Sequence, residues 1–100
     1  MKEEKRMMTF DELNFNKTLV PKGIQAMVRF GEYELSIIQN ESSYGNAQGL
    51  YEIAVFSDHS QVELPGITEE GDTVKGFLTK SDVESIIKKM YSITAQIEFL

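Results

Sequence analysis

Three segments in the middle of the chain alternate apolar and polar residues with a period of two, at residues 24–30, 33–39 and 50–56. This alternation is typical of a β-strand that buries one face. The third segment is apolar on nearly both faces, so we expect it to lie centrally in a sheet. Only Gly31 and Glu32 separate the first two segments, and a two-residue loop with glycine first predicts a type II′ hairpin.

A helix is predicted near the C-terminal end, where apolar side chains recur at three- and four-residue spacing and produce one apolar stripe. The stripe consists of Val83, Ile86, Ile87, Met90, Tyr91, Thr94 and Ile97. Thr79 or Ser81 is a suitable N-cap, and Ser81 with Glu84 matches the pattern of a capping box. Because a helix with a single apolar face must bury it against another element, we expect this helix to pack on the sheet.

The segments outside these elements give less specific predictions. Phe10, Leu13 and Phe15 predict a segment that docks on the core as a turn of helix or an irregular strand. Residues 17–23, with Pro21 and Gly23, are predicted to form a loop. Residues 61–64 are predicted as a short edge strand, and residues 73–78 as either a last short strand or a linker.

Together these elements predict one α+β domain: an antiparallel sheet of about four strands with one C-terminal amphipathic helix packed on one face. A chain of 100 residues is the size of a single domain. Residues 1–8 are charged at their start and are predicted to be a flexible tail, and residues 9–100 to be the folded domain.

Composition excludes several kinds of chemistry. The absence of cysteine removes disulfides, thiolate zinc sites and cysteine nucleophiles, and we expect no metal and no cofactor. The formal net charge of −6 argues against nucleic-acid binding. The first ten residues lack the apolar stretch of a secretory signal, and no apolar run approaches the ~20 residues of a membrane span. We therefore expect a cytoplasmic protein without membrane association.

Residues that could support catalysis are present but are not arranged for it. His59 lies between Asp58 and Ser60, yet neighbouring residues cannot converge as a catalytic triad does, so an exposed turn is expected. The carboxylates are expected to form a solvated face, although a hydrolase with a buried carboxylate pair is an alternative. They include Glu32, Glu34, Glu41, Glu52, Glu63, Glu69, Glu70 and Asp72. We predict that the protein is not an enzyme.

The loop at residues 41–49 is the candidate binding site. Its candidate residues are Ser43, Tyr44, Gly45, Asn46, Gln48 and Gly49. The two glycines either frame backbone amides that hold an anion or simply adopt positive φ in a turn. Tyr44, an aromatic residue within a polar loop, either folds back onto the core or stands exposed as an anchor for a partner.

Short motifs spread along the chain carry a family resemblance. They are Phe15-Asn16, Gly23-x-x-Ala26, Phe30-Gly31-x-Tyr33-x-Leu35-Ser36, Ser43-Tyr44-Gly45, Gly49-Leu50-Tyr51-Glu52-x-Ala54-Val55, Ile67-Thr68 and Val74-x-Gly76-Phe77-Leu78-Thr79. With these motifs the sequence resembles small uncharacterised proteins of tailed phages and prophages of Gram-positive bacteria. It departs from their pattern by inserting Glu69-Glu70-Gly71 ahead of Asp72. The resemblance implies a phage accessory protein in the cytoplasm of a bacterial host.

The favoured function is therefore protein–protein interaction, as an inhibitor or modulator of a host protein. The partner is expected to be a host or phage protein, and the acidity of the chain favours one with a basic surface. The alternative function is binding of a small ligand or nucleotide by the loop at residues 41–49. An open sheet edge also allows a homodimer.

Overall fold

Six antiparallel strands and one α-helix make up residues 7–94, the part of the chain that a computed structural model describes. The strands are β1 (Asn16–Leu19), β2 (Lys22–Phe30), β3 (Tyr33–Asn40), β4 (Tyr51–Ser57), β5 (Ser60–Val62) and β6 (Val74–Leu78). The helix is α1 (Lys80–Thr94), and 3-10 turns lie at Phe10–Glu12 and Asn46–Gln48. The α+β class is confirmed, and the strand number is higher than the predicted four.

The strands lie in the order β1-β2-β3-β4-β5, and β6 also pairs with β4. β5 pairs with the last residues of β4, whereas β6 pairs with the first ones, so the two short strands share one side of β4. Because β3 occupies its other side, β4 is bordered on both sides. The predicted central position of β4 is confirmed. β1 is an outer strand, and a homodimer through such an edge stays a prediction.

The predicted loop at residues 17–23 is wrong, since most of it belongs to a β1–β2 hairpin. Leu19 pairs with Lys22, and the cis peptide between Val20 and Pro21 lies at the turn. Pro21 therefore marks a tight turn between two strands. The alternation that identifies a strand is absent from β1, because its residues are almost all exposed. A strand without a buried face has no need for apolar residues at every second position.

The other two tight turns follow known hairpin chemistry. Gly31 has a φ of +61°, as the first position of a type II′ turn requires. Asp58 and His59 join β4 to β5 with φ values of 52° and 68°, the pattern of a type I′ turn. His59 is exposed there, as predicted.

The core lies between the sheet and α1. Ala26, Ile37 and Ile53 form one row across β2, β3 and β4, and each is at most 1% exposed. The helix contributes its predicted stripe, with Val83, Ile86, Ile87 and Met90 buried; Ile97 lies outside the described residues. Full burial of one such side chain contributes about 1.5–3 kcal/mol, so this interface is the main source of stability. Among the described residues, no helix is long and apolar enough to cross a membrane.

The segment before β1 docks on the core, as predicted. The rings of Phe10, Phe15 and Tyr51 form a cluster with centroids 5.2–5.9 Å apart. The Met8 backbone N–H donates to the Tyr91 hydroxyl at 3.1 Å. Residues 1–6 lie outside the described residues, so a tail ending at residue 8 stays a prediction.

The start of α1 is capped by Thr79. The Asp82 backbone N–H donates to the Thr79 hydroxyl, and the Asp82 carboxylate accepts from the Thr79 backbone N–H, each at 3.0 Å. The predicted Ser81–Glu84 capping box does not form, because α1 begins at Lys80 and Ser81 lies inside the helix. The Glu84 carboxylate accepts instead from the Phe10 backbone N–H at 2.7 Å. Glu84 thus ties the N-terminal segment to the helix.

Candidate functional site

The loop at residues 41–49 begins with a compact turn built by Asn40 and Ser43. The Ser43 hydroxyl accepts from the Asn40 backbone N–H at 2.9 Å and donates to the Asn40 carbonyl at 3.0 Å. The Asn40 side-chain oxygen accepts from the Ser42 backbone N–H at 2.8 Å. Ser43, a candidate binding residue, therefore has a structural role at the end of β3.

The second half of the loop is a 3-10 turn between two glycines. Gly45 and Gly49 have φ values of +93° and +75°, a conformation that glycine adopts without a steric penalty. The Gly45 carbonyl accepts from the backbone N–H groups of Gln48 and Leu50, and the Asn46 carbonyl accepts from that of Gly49. These amides are engaged inside the loop. Positive φ in a turn accounts for both glycines without an anion.

Tyr44 is exposed and stacks on a second exposed aromatic residue, Phe77 of β6. The two rings lie 6.3 Å apart with an interplanar angle of 24°. Tyr44 is 60% exposed and Phe77 is 57% exposed. Tyr44 therefore does not fold back onto the core, and its role as an anchor for a partner stays a prediction. We call these two residues the aromatic pair.

A bulge in β6 sets the position of Phe77. Tyr51 pairs with Leu78 and Ile53 with Lys75, so Gly76 and Phe77 both lie opposite the single residue Glu52. Phe77 has a φ of +57°, which is rare for a bulky side chain and costs of order 1–3 kcal/mol. Strain of this kind persists only where the surrounding structure imposes it.

Two glycines allow the loop to touch the bulge. A Cβ on Gly76 would lie 2.4 Å from the Tyr44 Cβ, and a Cβ on Gly45 would lie 3.0 Å from the Phe77 Cα. The Phe77 backbone N–H also donates to the Tyr44 carbonyl at 3.3 Å. The aromatic pair is therefore held by backbone contact between residues that are 33 positions apart.

Two acidic residues and one lysine, Lys75, lie beside the aromatic pair. A shallow groove of about 210 Å³ runs beside it, and its lining includes Glu69 and Asp72, both exposed. Glu69 and Asp72 belong to the turn before β6 and thus lie next to the aromatic residues. A surface that combines two aromatic rings with carboxylates complements a partner with apolar and basic groups.

Glu52 lies beneath the loop. The prediction that the carboxylates form a solvated face is therefore wrong for this residue. It is only 9% exposed, and its carboxylate accepts the Tyr44 backbone N–H at 2.8 Å. Period-two alternation places Glu52 on the face away from α1, but the bulge and the loop cover that end of β4. Alternation along one strand cannot indicate this cover, because the cover comes from residues outside the strand, namely the preceding loop and the bulge in β6.

The predicted site residues differ in their exposure to solvent. Tyr44, Gln48 and Gly49 are exposed, Ser43 and Asn46 are half-buried, and Gly45 is buried. Phe77 was missed from the candidate set, although glycine inside a strand pattern, here Gly76, is a known indication of a bulge or a close backbone approach. No three His, Asp or Glu side chains within residues 7–94 are grouped to hold a metal ion.

No protein-family model, curated protein or solved structure shows significant similarity to this chain. The geometry of the site is therefore the basis of its interpretation.

Proposed function

We propose that this protein acts by protein–protein interaction and that the aromatic pair is its anchor. The observation that carries the proposal is that Tyr44 and Phe77 remain more than half exposed although Phe77 is held in a strained conformation. Burial in a partner would recover the apolar area that the fold leaves in water, and tyrosine is enriched among residues that dominate binding energy.

The partner that fits this site carries basic groups around an apolar patch. Glu69 and Asp72 lie beside the aromatic pair, and the chain has a net charge of −6. The resemblance to phage and prophage proteins favours a host or phage protein in the bacterial cytoplasm, where the interaction would inhibit or modulate the partner.

The proposal is tested by affinity capture from a Gram-positive host lysate with four forms of the protein. Wild type and Ile93→Ala are expected to capture the same partner, because Ile93 is a 46% exposed apolar residue on α1, away from the loop. Tyr44→Ala and Phe77→Gly are expected to lose it. Retention should fall when salt is raised from about 0.15 M to about 0.5 M. Equal capture by all four forms, or no partner above background, would contradict the proposal.

The alternative, a small ligand or nucleotide held by the loop at residues 41–49, receives less support. The amides of Gln48, Gly49 and Leu50 already donate to carbonyls of the same loop. A thermal-shift screen against nucleotides and metabolites tests it directly, and a rise in melting temperature that disappears in a loop variant would favour it over the interaction proposal.

A further inference from the structure

The sheet face away from α1 contains a hollow of about 310 Å³. We call it the open-face hollow. Its lining comes from the centre of the sheet, the tip of the β1–β2 hairpin and the far strands, and includes Val20, Ile38, Glu52, Phe56 and Gln61. The hairpin tip and the far strands thus form opposite walls. A volume of this size lies at the lower end of the range for pockets that hold small groups.

Three polar residues of the open-face hollow are buried, an unusual composition for a sheet surface. Ser36, Asn40 and Glu52 are 4%, 7% and 9% exposed. The Ser36 hydroxyl accepts from the Gln25 side-chain amide at 3.0 Å, and Asn40 closes the turn at the end of β3. The hydroxyl and the amide thus have partners within the fold.

Glu52 is different, because it is a carboxylate that no cation among the described residues neutralises. One oxygen accepts the Tyr44 backbone N–H. Within residues 7–94, no lysine or arginine forms an ion pair with Glu52; Arg29, which lies on the same face, pairs with Glu34 instead. A carboxylate that is nine-tenths buried is expected to be paired or to bind a cation, because removing it from water is otherwise costly.

We propose that the open-face hollow binds a lysine or arginine side chain of the protein partner, with the cationic group against Glu52. Ile38 and Phe56 offer apolar surface for the aliphatic stem of such a side chain, while its charged end reaches the carboxylate. This inference rests on the proposed interaction function and identifies the chemistry of the partner. The open-face hollow and the aromatic pair are connected, since the Glu52 carboxylate also accepts the backbone N–H of Tyr44.

The test needs no knowledge of the partner. N-acetyl-lysine amide and N-acetyl-arginine amide are titrated into isotope-labelled full-length protein and followed by NMR, with N-acetyl-norleucine amide as the uncharged control. We expect the cationic probes to shift the Glu52 side-chain carboxyl resonance and amide resonances of β3 and β4. Norleucine should leave them in place. Shifts at the carboxyl group in the wild-type protein report contact without any substitution.

Two variants examine the role of the charge. Glu52→Gln keeps an oxygen that can accept the Tyr44 N–H but removes the charge, and it should weaken the cationic probes by about tenfold or more. Glu34→Gln removes a more exposed carboxylate from the same face and should leave the affinity unchanged. Equal binding of norleucine, unchanged affinity in Glu52→Gln, or absence of shifts at Glu52 in wild type would overturn the inference.

The outcome is distinguishable from that of the proposed function. If the probes do not bind at Glu52 but partner capture still depends on Tyr44 and Phe77, the interaction function stands and the hollow is not its lysine or arginine site. If the probes bind at Glu52 and no partner is captured, a cation site exists and the assignment to a protein partner is overturned.

Discussion

Phe77 has both a strained backbone and an exposed aromatic ring, two unfavourable features that are unexpected for a residue without a function. Its φ of +57° places the Cβ close to the backbone, and its ring is 57% exposed to water. Glycine would adopt the same backbone at no such cost. The stacked contact with Tyr44, of a kind worth about 0.5–1.5 kcal/mol, offsets the strain only in part.

The backbone strain at Phe77 predicts that glycine is more stable than alanine at this position, the reverse of the usual order in a strand. Phe77→Gly should be more stable than Phe77→Ala by roughly 1 kcal/mol, because alanine keeps the Cβ that opposes positive φ. At Val74 in the same strand, where φ is not positive, the order should be the ordinary one, with alanine better by about 0.5–1 kcal/mol. Urea unfolding measures all four variants. Alanine better than glycine at both positions would show that Phe77 is not strained.

At the scale of elements, the contact between the loop at residues 41–49 and β6 depends on Gly76. Gly76→Ala places a methyl group 2.4 Å from the Tyr44 Cβ, so the loop must move. We expect a cost of about 1–3 kcal/mol, as for other overpacked sites, and displaced amide resonances at residues 43–46.

Gly49→Ala is the control for the Gly76 substitution. Its φ is +75°, but nothing lies within 4 Å of the added Cβ, so only backbone strain is introduced. Resonance changes should then stay near residue 49. Unperturbed resonances at residues 43–46 in Gly76→Ala would mean that the loop does not rest on the bulge.

The N-cap of α1 gives a pH-dependent contribution to stability. Hydrogen bonds from the backbone and side chain of Thr79 lower the pKa of the Asp82 carboxyl, with a smaller effect of Lys75. A lowered pKa in the folded state means that this stabilisation is present above the unfolded value of about 3.9 and is lost as pH falls through the folded value. The stability difference between wild type and Asp82→Ala should therefore be constant near neutral pH and shrink in acid.

Urea unfolding at a series of pH values measures this difference, and Thr79→Ala provides a second variant that should cost about 1 kcal/mol at neutral pH. A difference between wild type and Asp82→Ala that does not change with pH would contradict the role of the charged carboxylate at the cap.

Prediction from the sequence succeeded for elements with a buried face, and it failed where an element has no buried face or where burial depends on contacts made outside the element. β2, β3, β4 and α1 each carry an apolar period that matches the core, so their existence and order could be predicted. β1 has no buried residue, and its pairing with β2 leaves no pattern. The same holds for the site. Tyr44 could be predicted, because it is an aromatic residue within a polar loop. The exposure of Phe77 and the burial of Glu52 could not, because they result from the bulge in β6 and the loop that covers Glu52.

At the scale of the whole molecule, the sheet has two faces of different kinds. One is closed by α1 with side chains such as Ile37 and Ile87, both fully buried. The other face is not covered by α1 and holds the open-face hollow; the aromatic pair lies on the loop and the bulge beside Glu52, one of the residues that line this hollow. Stability is concentrated on one side and the proposed recognition on the other. Substitutions in the core between α1 and the sheet should therefore lower stability without altering the residues of the proposed recognition surface.

Ile87 and Ile93 test that separation on the same helix. Ile87→Ala removes a fully buried side chain between α1 and the sheet and should cost about 2–5 kcal/mol. Ile93→Ala, at a 46% exposed position, should change stability by less than about 0.5 kcal/mol. Because one core joins α1 to β2, β3 and β4, hydrogen exchange in Ile87→Ala should accelerate in the helix and in these strands together. Acceleration confined to α1 would mean that the helix unfolds independently of the sheet, and that the two faces do not belong to one cooperative unit.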